Sequence, residues 1–132
     1  MYEEATIMCI LRNKFAAMLL FQFRTERFNI VNKKRVCEER IYHIYCQNKN
    51  DAFTKALAIG KREEFDYVDN DKKVFFEFVG ILDIVELDVV EDENLVWSRF
   101  IEKIEPMERK DKIIPPKTKL TIFRKNKGKL KV

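Results

Sequence analysis

Only one stretch of this chain repeats its apolar residues at helical spacing, and β-type sequence encloses it on both sides. Phe53, Ala56, Leu57 and Gly60 form a single stripe, while Lys55, Lys61, Arg62 and Glu63 occupy the opposite side. Asn48 or Asn50 can cap this segment, and Asp51 stands in the first turn, where the helix dipole favours a carboxylate. The spacing predicts one helix of about 14 residues, roughly 21 Å long, enough to cross one face of a small sheet. Gly60 costs about 1 kcal/mol of helix propensity. Its place on the inner stripe implies that the helix approaches the sheet closely there.

The flanking segments alternate. Phe15, Ala17, Leu19, Phe21 and Phe23 share one parity, and the other parity turns polar at Gln22 and Arg24. A strand over 15–23 follows, and then a connection over 25–36 that contains Lys33-Lys34-Arg35. The second strand, 37–46, is dense in Ile and Tyr. Asp69-Asn70-Asp71 is a turn signal able to supply left-handed backbone. Beyond it, 72–80 and 81–89 read as two strands or as one long strand bent at Gly80. A last strand over 95–101 places Trp97 and Arg99 on one face and Ser98 and Phe100 on the other.

The predicted fold is therefore α+β. An antiparallel sheet of four to five strands carries one helix on one face, in the order β-β-α-β-β(-β).

The charge is divided unevenly along the chain. Residues 1–105 carry 16 Lys and Arg against 20 Asp and Glu, whereas 106–132 carry 10 against 2 and hold all three prolines. The chain reads as a mildly acidic α+β body over 1–105 and a basic extension over 106–132, with Lys119–Arg124 suited to one added edge strand. Such a split points to charged macromolecular partners. The acidic start Met1-Tyr2-Glu3-Glu4 is unlike a secretory signal, and no apolar run approaches a membrane span, so a cytoplasmic protein without membrane contact is expected. Cys9, Cys37 and Cys46 are an odd set without paired spacing, which suits buried thiols in a reducing compartment.

Several local strings resemble a bacterial family known only as a domain of unknown function, DUF4288. They are Ala17-Met-Leu-Leu-Phe21, Glu38-Glu39-Arg40, Ala56-Leu-Ala-Ile-Gly60, Phe78-Val-Gly-Ile-Leu-Asp83 and Val96-Trp-Ser-Arg-Phe100. Together they span about residues 15–102. The resemblance implies no activity that could be assigned to a residue. Small bacterial proteins of this general look include immunity proteins of toxin systems.

Catalytic readings are thin. Cys37 and His43 share a strand face while Cys46 points to the other, so no zinc site converges. Asp83, Glu86, Asp88, Glu91, Asp92 and Glu93 climb toward a turn, where a solvated hairpin tip is the ordinary explanation. Glu108-Arg109-Lys110 lies between prolines and not on a core strand. Ser98 has no strained elbow around it, and three glycines cannot build a phosphate loop. Neither a cofactor, a metal nor an enzyme is expected. Glu39, Arg40 and Arg99 lie in apolar strands, where charges need partners, and a cross-sheet Arg–Glu pair accounts for them.

The charge split and the family resemblance together imply a non-enzymatic protein-binding domain, in the form the resemblance suggests an immunity-type protein that occludes a basic toxin domain. Its binding residues would be Asp88, Glu91, Asp92 and Glu93 with Trp97 and Arg99. A second class is nucleic-acid association through Lys117, Lys119, Phe123, Arg124, Lys125 and Lys127. A third is a homo-oligomeric module joined through a strand edge or through Trp97.

Overall fold

A computed structural model describes residues 13–87 and 97–124. Its elements are β1 (Asn13–Arg27), β2 (Ile30–Val31), β3 (Lys34–Cys46), α1 (Lys49–Arg62), β4 (Phe65–Asp69), β5 (Lys72–Leu87), β6 (Trp97–Ile104) and α2 (Lys110–Ile113). Two 3₁₀ turns follow, at Lys117–Lys119 and Thr121–Phe123. The six strands form one antiparallel sheet in the order β4-β5-β1-β3-β6, with β2 paired to the end of β1. The α+β class holds, with two helices and six strands among the described residues where one helix and four or five strands are expected.

Each addition has a local cause. The β1–β2 connection is a tight turn in which Phe28 and Asn29 both take positive φ, so the chain doubles back at once instead of wandering to residue 36. Asn70 and Asp71 likewise take positive φ and close the hairpin that makes β4. β5 is one continuous strand. Its register against β1 slips between Met18 and Leu19 and again between Leu20 and Phe21, on either side of the Gly80–Ile81 pairings.

α1 is 14 residues long and is capped by the Asn48 side chain, which accepts from the Asp51 amide at 2.9 Å. Ala52, Ala56 and Gly60 form its buried line, and Leu57, expected on the inner stripe, is exposed. Gly60 earns its place through closeness: a Cβ there would lie 2.5 Å from the Phe78 ring. Beneath the helix lies the main core of Phe15, Ala17, Leu19, Phe21, Ile44, Phe76, Phe78, Ile81 and Ile84.

Residues 106–124 wrap the sheet. On the face away from α1, Met107, Ile113 and Ile114 cover Leu20, Cys37 and Val79. The chain then passes to the helix side, where Leu120 enters the main core. The segment 119–124 is built around the 3₁₀ turn Thr121–Phe123 and is not an edge strand. Asp83 explains this, because its carboxylate binds both the Thr121 amide and the Thr121 hydroxyl at 2.7 Å. That amide is thereby withdrawn from any strand ladder.

The wrap is held by a buried polar cluster. Arg35, from the triplet read as part of a connection, is 1% exposed and grips the Glu108 carboxylate through both Nη atoms at 2.6 and 2.7 Å. Gln22 Oε1 accepts from Arg35 Nη1 at 3.0 Å and from the Met107 amide at 3.2 Å. Gln22 Nε2 donates to Glu77, which Arg24 also grips at 2.8 and 3.0 Å. The Arg24 hydrogen bonds hold the Glu77 carboxyl below the ordinary range against its own burial, with help from Gln22. Arg35 does the same for Glu108.

Candidate functional site

The helix covers only part of its face of the sheet. Past its C-terminal end an aromatic floor continues across three strands, because residues opposite one another in the register share a face. Phe21 and Phe23 of β1, Phe76 of β5 and Phe65 of β4 lie side by side. Phe76 stacks on Phe21 at 4.9 Å and on Phe65 at 5.0 Å, and Phe23 meets it at 4.8 Å. Tyr67 extends the row, stacked on Phe65 at 6.1 Å. Phe65 and Tyr67 remain 49% and 47% exposed, although both belong to a strand of the sheet. Phe21 and Phe76 are themselves buried, so the large exposed aromatic side chains of the floor are Phe65 and Tyr67.

Arg40 of β3 reaches over the inner members of this floor. Its guanidinium lies over the rings of Phe21 and Phe76, at 5.0 and 4.9 Å from their centroids. It donates to Glu38 at 2.8 Å and to the Tyr42 hydroxyl at 3.0 Å, and that hydroxyl donates to Glu63 at 3.3 Å. Burial works against the Arg40 charge, but its bonds to Glu38 and Tyr42 outweigh this and raise its pKa. Burial also raises the Tyr42 phenol, against the pull of Arg40. Arg40 is thus held over the rings by its bonds to Glu38 and the Tyr42 phenol. Arg and Tyr in an aromatic setting are the residues on which protein interfaces concentrate their energy.

The residues expected from sequence fall elsewhere. Asp88, Glu91, Asp92 and Glu93 lie outside the described residues, as do Lys125 and Lys127. Trp97 opens β6 opposite Ile41. Arg99 is exposed and bonds Glu39 at 2.8 Å across the β3–β6 pair, the cross-sheet Arg–Glu pair anticipated for these strands. Lys117 lies 4.6 Å from the Phe53 ring centroid and 5.2 Å from that of Phe123. Phe123 packs edge-on to Phe53 and also carries Lys49, so its ring serves the fold. Lys119 and Arg124 are exposed on the 3₁₀ turns, joined by the Arg124 Nε bond to the Lys119 carbonyl at 3.0 Å.

His43 and Cys37 share the face away from α1, and Cys46 belongs to the helix-side core. Burial lowers the His43 pKa and raises that of the Cys37 thiol. No group of metal-ligating side chains occurs among the described residues, and no helix there is long and apolar enough to cross a membrane.

The chain matches the family model of a domain of unknown function, DUF4288, over residues 14–98. The chain belongs to the DUF4288 family. The match takes in the whole aromatic floor and Arg40, together with α1 and β1 through β5. No curated protein and no solved structure matches the chain. The floor was missed in the sequence because Phe65-Asp-Tyr67 follows the charged end of the helix, Lys61-Arg-Glu-Glu64, with no Gly, Pro or Asn to mark a new element. The signal that could have revealed it is its alternation immediately before Asp69-Asn70-Asp71.

Proposed function

We propose that this DUF4288 protein is a non-enzymatic protein-binding domain that seats a partner on the aromatic half of its helix-side sheet face. The observation that carries the proposal is the exposure of Phe65 and Tyr67 beside an Arg40 pinned over two rings. A fold free to bury them would gain about 25 cal/mol for each Å² of apolar area removed from water. In the immunity-type form of this function the partner is a toxin domain, and the floor covers the surface through which that toxin acts. Nucleic-acid binding is the weaker reading, since Phe123 is engaged by Phe53, Lys49 and Lys117.

The proposal is tested by placing a photo-crosslinking phenylalanine analogue at Tyr67 in the full chain, inside its native cell. The expected result is one discrete protein adduct that is missing when the analogue stands at Leu57, on the exposed side of α1. Equal adducts from both positions, or none from Tyr67, would remove the aromatic floor as the binding surface.

A further inference from the structure

The two edges of the sheet are treated differently. On the β5 side, β4 pairs with Lys72 to Phe76, and beyond it the Glu64 carboxylate takes the Phe78 amide at 2.9 Å. Farther along, Asp83 binds its own neighbour's amide, that of Ile84, and anchors Thr121, which brings the extension over that edge. At β6 no described element occupies the outer side. An unpaired edge strand is a template for another strand, and charged side chains are the usual defence. β6 carries Arg99, Glu102 and Lys103.

Those charges do more than defend, because they discriminate among registers. A second copy of β6 related by a two-fold axis normal to the sheet runs antiparallel and keeps each side chain on its own face. Each residue then faces the one equally far from the centre. Centring on Arg99, Glu102 or Lys103 sets that charge against itself, and centring on Ile101 sets Arg99 against Lys103. Like charges directly opposed are destabilising. Centring nearer either end leaves only the last few residues of the strand overlapping. Centring on Phe100 opposes no like charges: Phe100 meets its copy, Arg99 faces Ile101, Ser98 faces Glu102 and Trp97 faces Lys103. The residue selected by charge is also an exposed apolar one. Phe100 is 64% exposed on the helix-side face, with exposed Val36 and Ile104 near it.

We propose that β6 pairs with β6 of a second copy about Phe100, making one continuous sheet across a two-fold dimer. The axis leaves both helix-side faces pointing the same way, so the dimer presents two aromatic floors on one side. The inference stands on the edge and its charges and is independent of what the floor binds.

A single strand edge is smaller than a standard interface of roughly 1,600 Å², so the dimer is a weak one that forms in the micromolar range. Sedimentation velocity on the full chain, from about 5 to 500 μM, should show a move from monomer to dimer. Ser98 and Phe100 are exposed, so variants there keep the fold. Ser98→Lys places a cation opposite Glu102 and should shift the transition to roughly tenfold lower concentration, and Ser98→Glu should shift it tenfold higher. Under oxidising conditions Phe100→Cys should give a dimer whose disulfide maps by peptide mass spectrometry to residue 100 of both copies. A chain that stays monomeric throughout, or a dimer indifferent to both Ser98 variants, would overturn the proposal.

Discussion

Replacing Glu108 by Ala should cost this protein a large share of its stability, although Glu108 lies in the basic extension and is itself half-exposed. The Arg35 guanidinium is 1% exposed and makes two of its hydrogen bonds, at 2.6 and 2.7 Å, to that one carboxylate. Removing one partner of a buried ion pair costs about 3–5 kcal/mol, because the other charge is left in the interior. Here Gln22 and the Asn32 carbonyl still accept from Arg35, and water can enter where Glu108 stood. These remaining partners bring the cost to or below the lower limit of that range, about 2–3 kcal/mol. For a chain of this size that corresponds to a fall in Tm of about 8–12 °C. Urea denaturation followed by far-UV circular dichroism, with unchanged slope, measures the difference. Glu102→Ala is the control, since the Lys34–Glu102 pair is exposed on both sides and should change stability by less than about 0.5 kcal/mol. If Glu108→Ala matched that control, the extension would not be clamped to the sheet and the account of Arg35 would fail.

Three further outcomes follow from the same structure. Gly60→Ala should destabilise by about 1–3 kcal/mol despite its better helix propensity, since the new Cβ would stand 2.5 Å from the Phe78 ring; a stabilised variant in urea would mean the helix can lift away freely. Phe28→Asn should stabilise by about 0.5–1 kcal/mol, because Phe28 sits at φ 50° in a turn that favours Asn; a shift of the thermal midpoint downward would contradict this. Acid should weaken the fold in two stages. His43 has a lowered folded pKa, so the unfolded chain takes up its proton first and stability starts to fall below about pH 6.5. Glu77 and Glu108 have depressed folded pKa values, so their contribution is present above about pH 4.5 and is lost as the pH falls through and below that range. Urea midpoints at pH 7, 5 and 3 should decline in that order, and a midpoint flat to pH 3 would refute the assignment.

What could be read from the sequence was whatever depends on near neighbours. The Asn48 cap, the length of α1, the Asn70-Asp71 turn and the distortion of β5 about Gly80 all follow from residues a few positions apart. So does the closeness announced by Gly60 on the buried line of the helix. The Glu39–Arg99 pair was accessible because charges in apolar strands demand opposite charges, and few were available. What stayed hidden is set by distant partners. Arg35 reads as one of three basic residues in a connection, and only Glu108, 73 positions away, makes it a buried residue. Leu120 reads as part of an edge strand until Asp83 takes the Thr121 amide. β4 is five residues long, and its Phe65-Asp66-Tyr67 alternation breaks off at Val68, too short a run to announce a strand beside the helix. The aromatic floor went unseen for the same reason, since its outer members belong to β4.

The central claim is that the aromatic floor binds a protein. The most direct measurement is the affinity of the adduct partner trapped at Tyr67 for the wild-type chain and for Tyr67→Ser, by titration calorimetry at one salt concentration. Tyr67 is half-exposed, so the variant keeps its fold, and a residue at the centre of an interface costs 1–2 kcal/mol or more when truncated, about a tenfold loss of affinity or greater. A tenfold weakening with unchanged urea stability is the predicted result. Equal affinities for the two chains would contradict the claim.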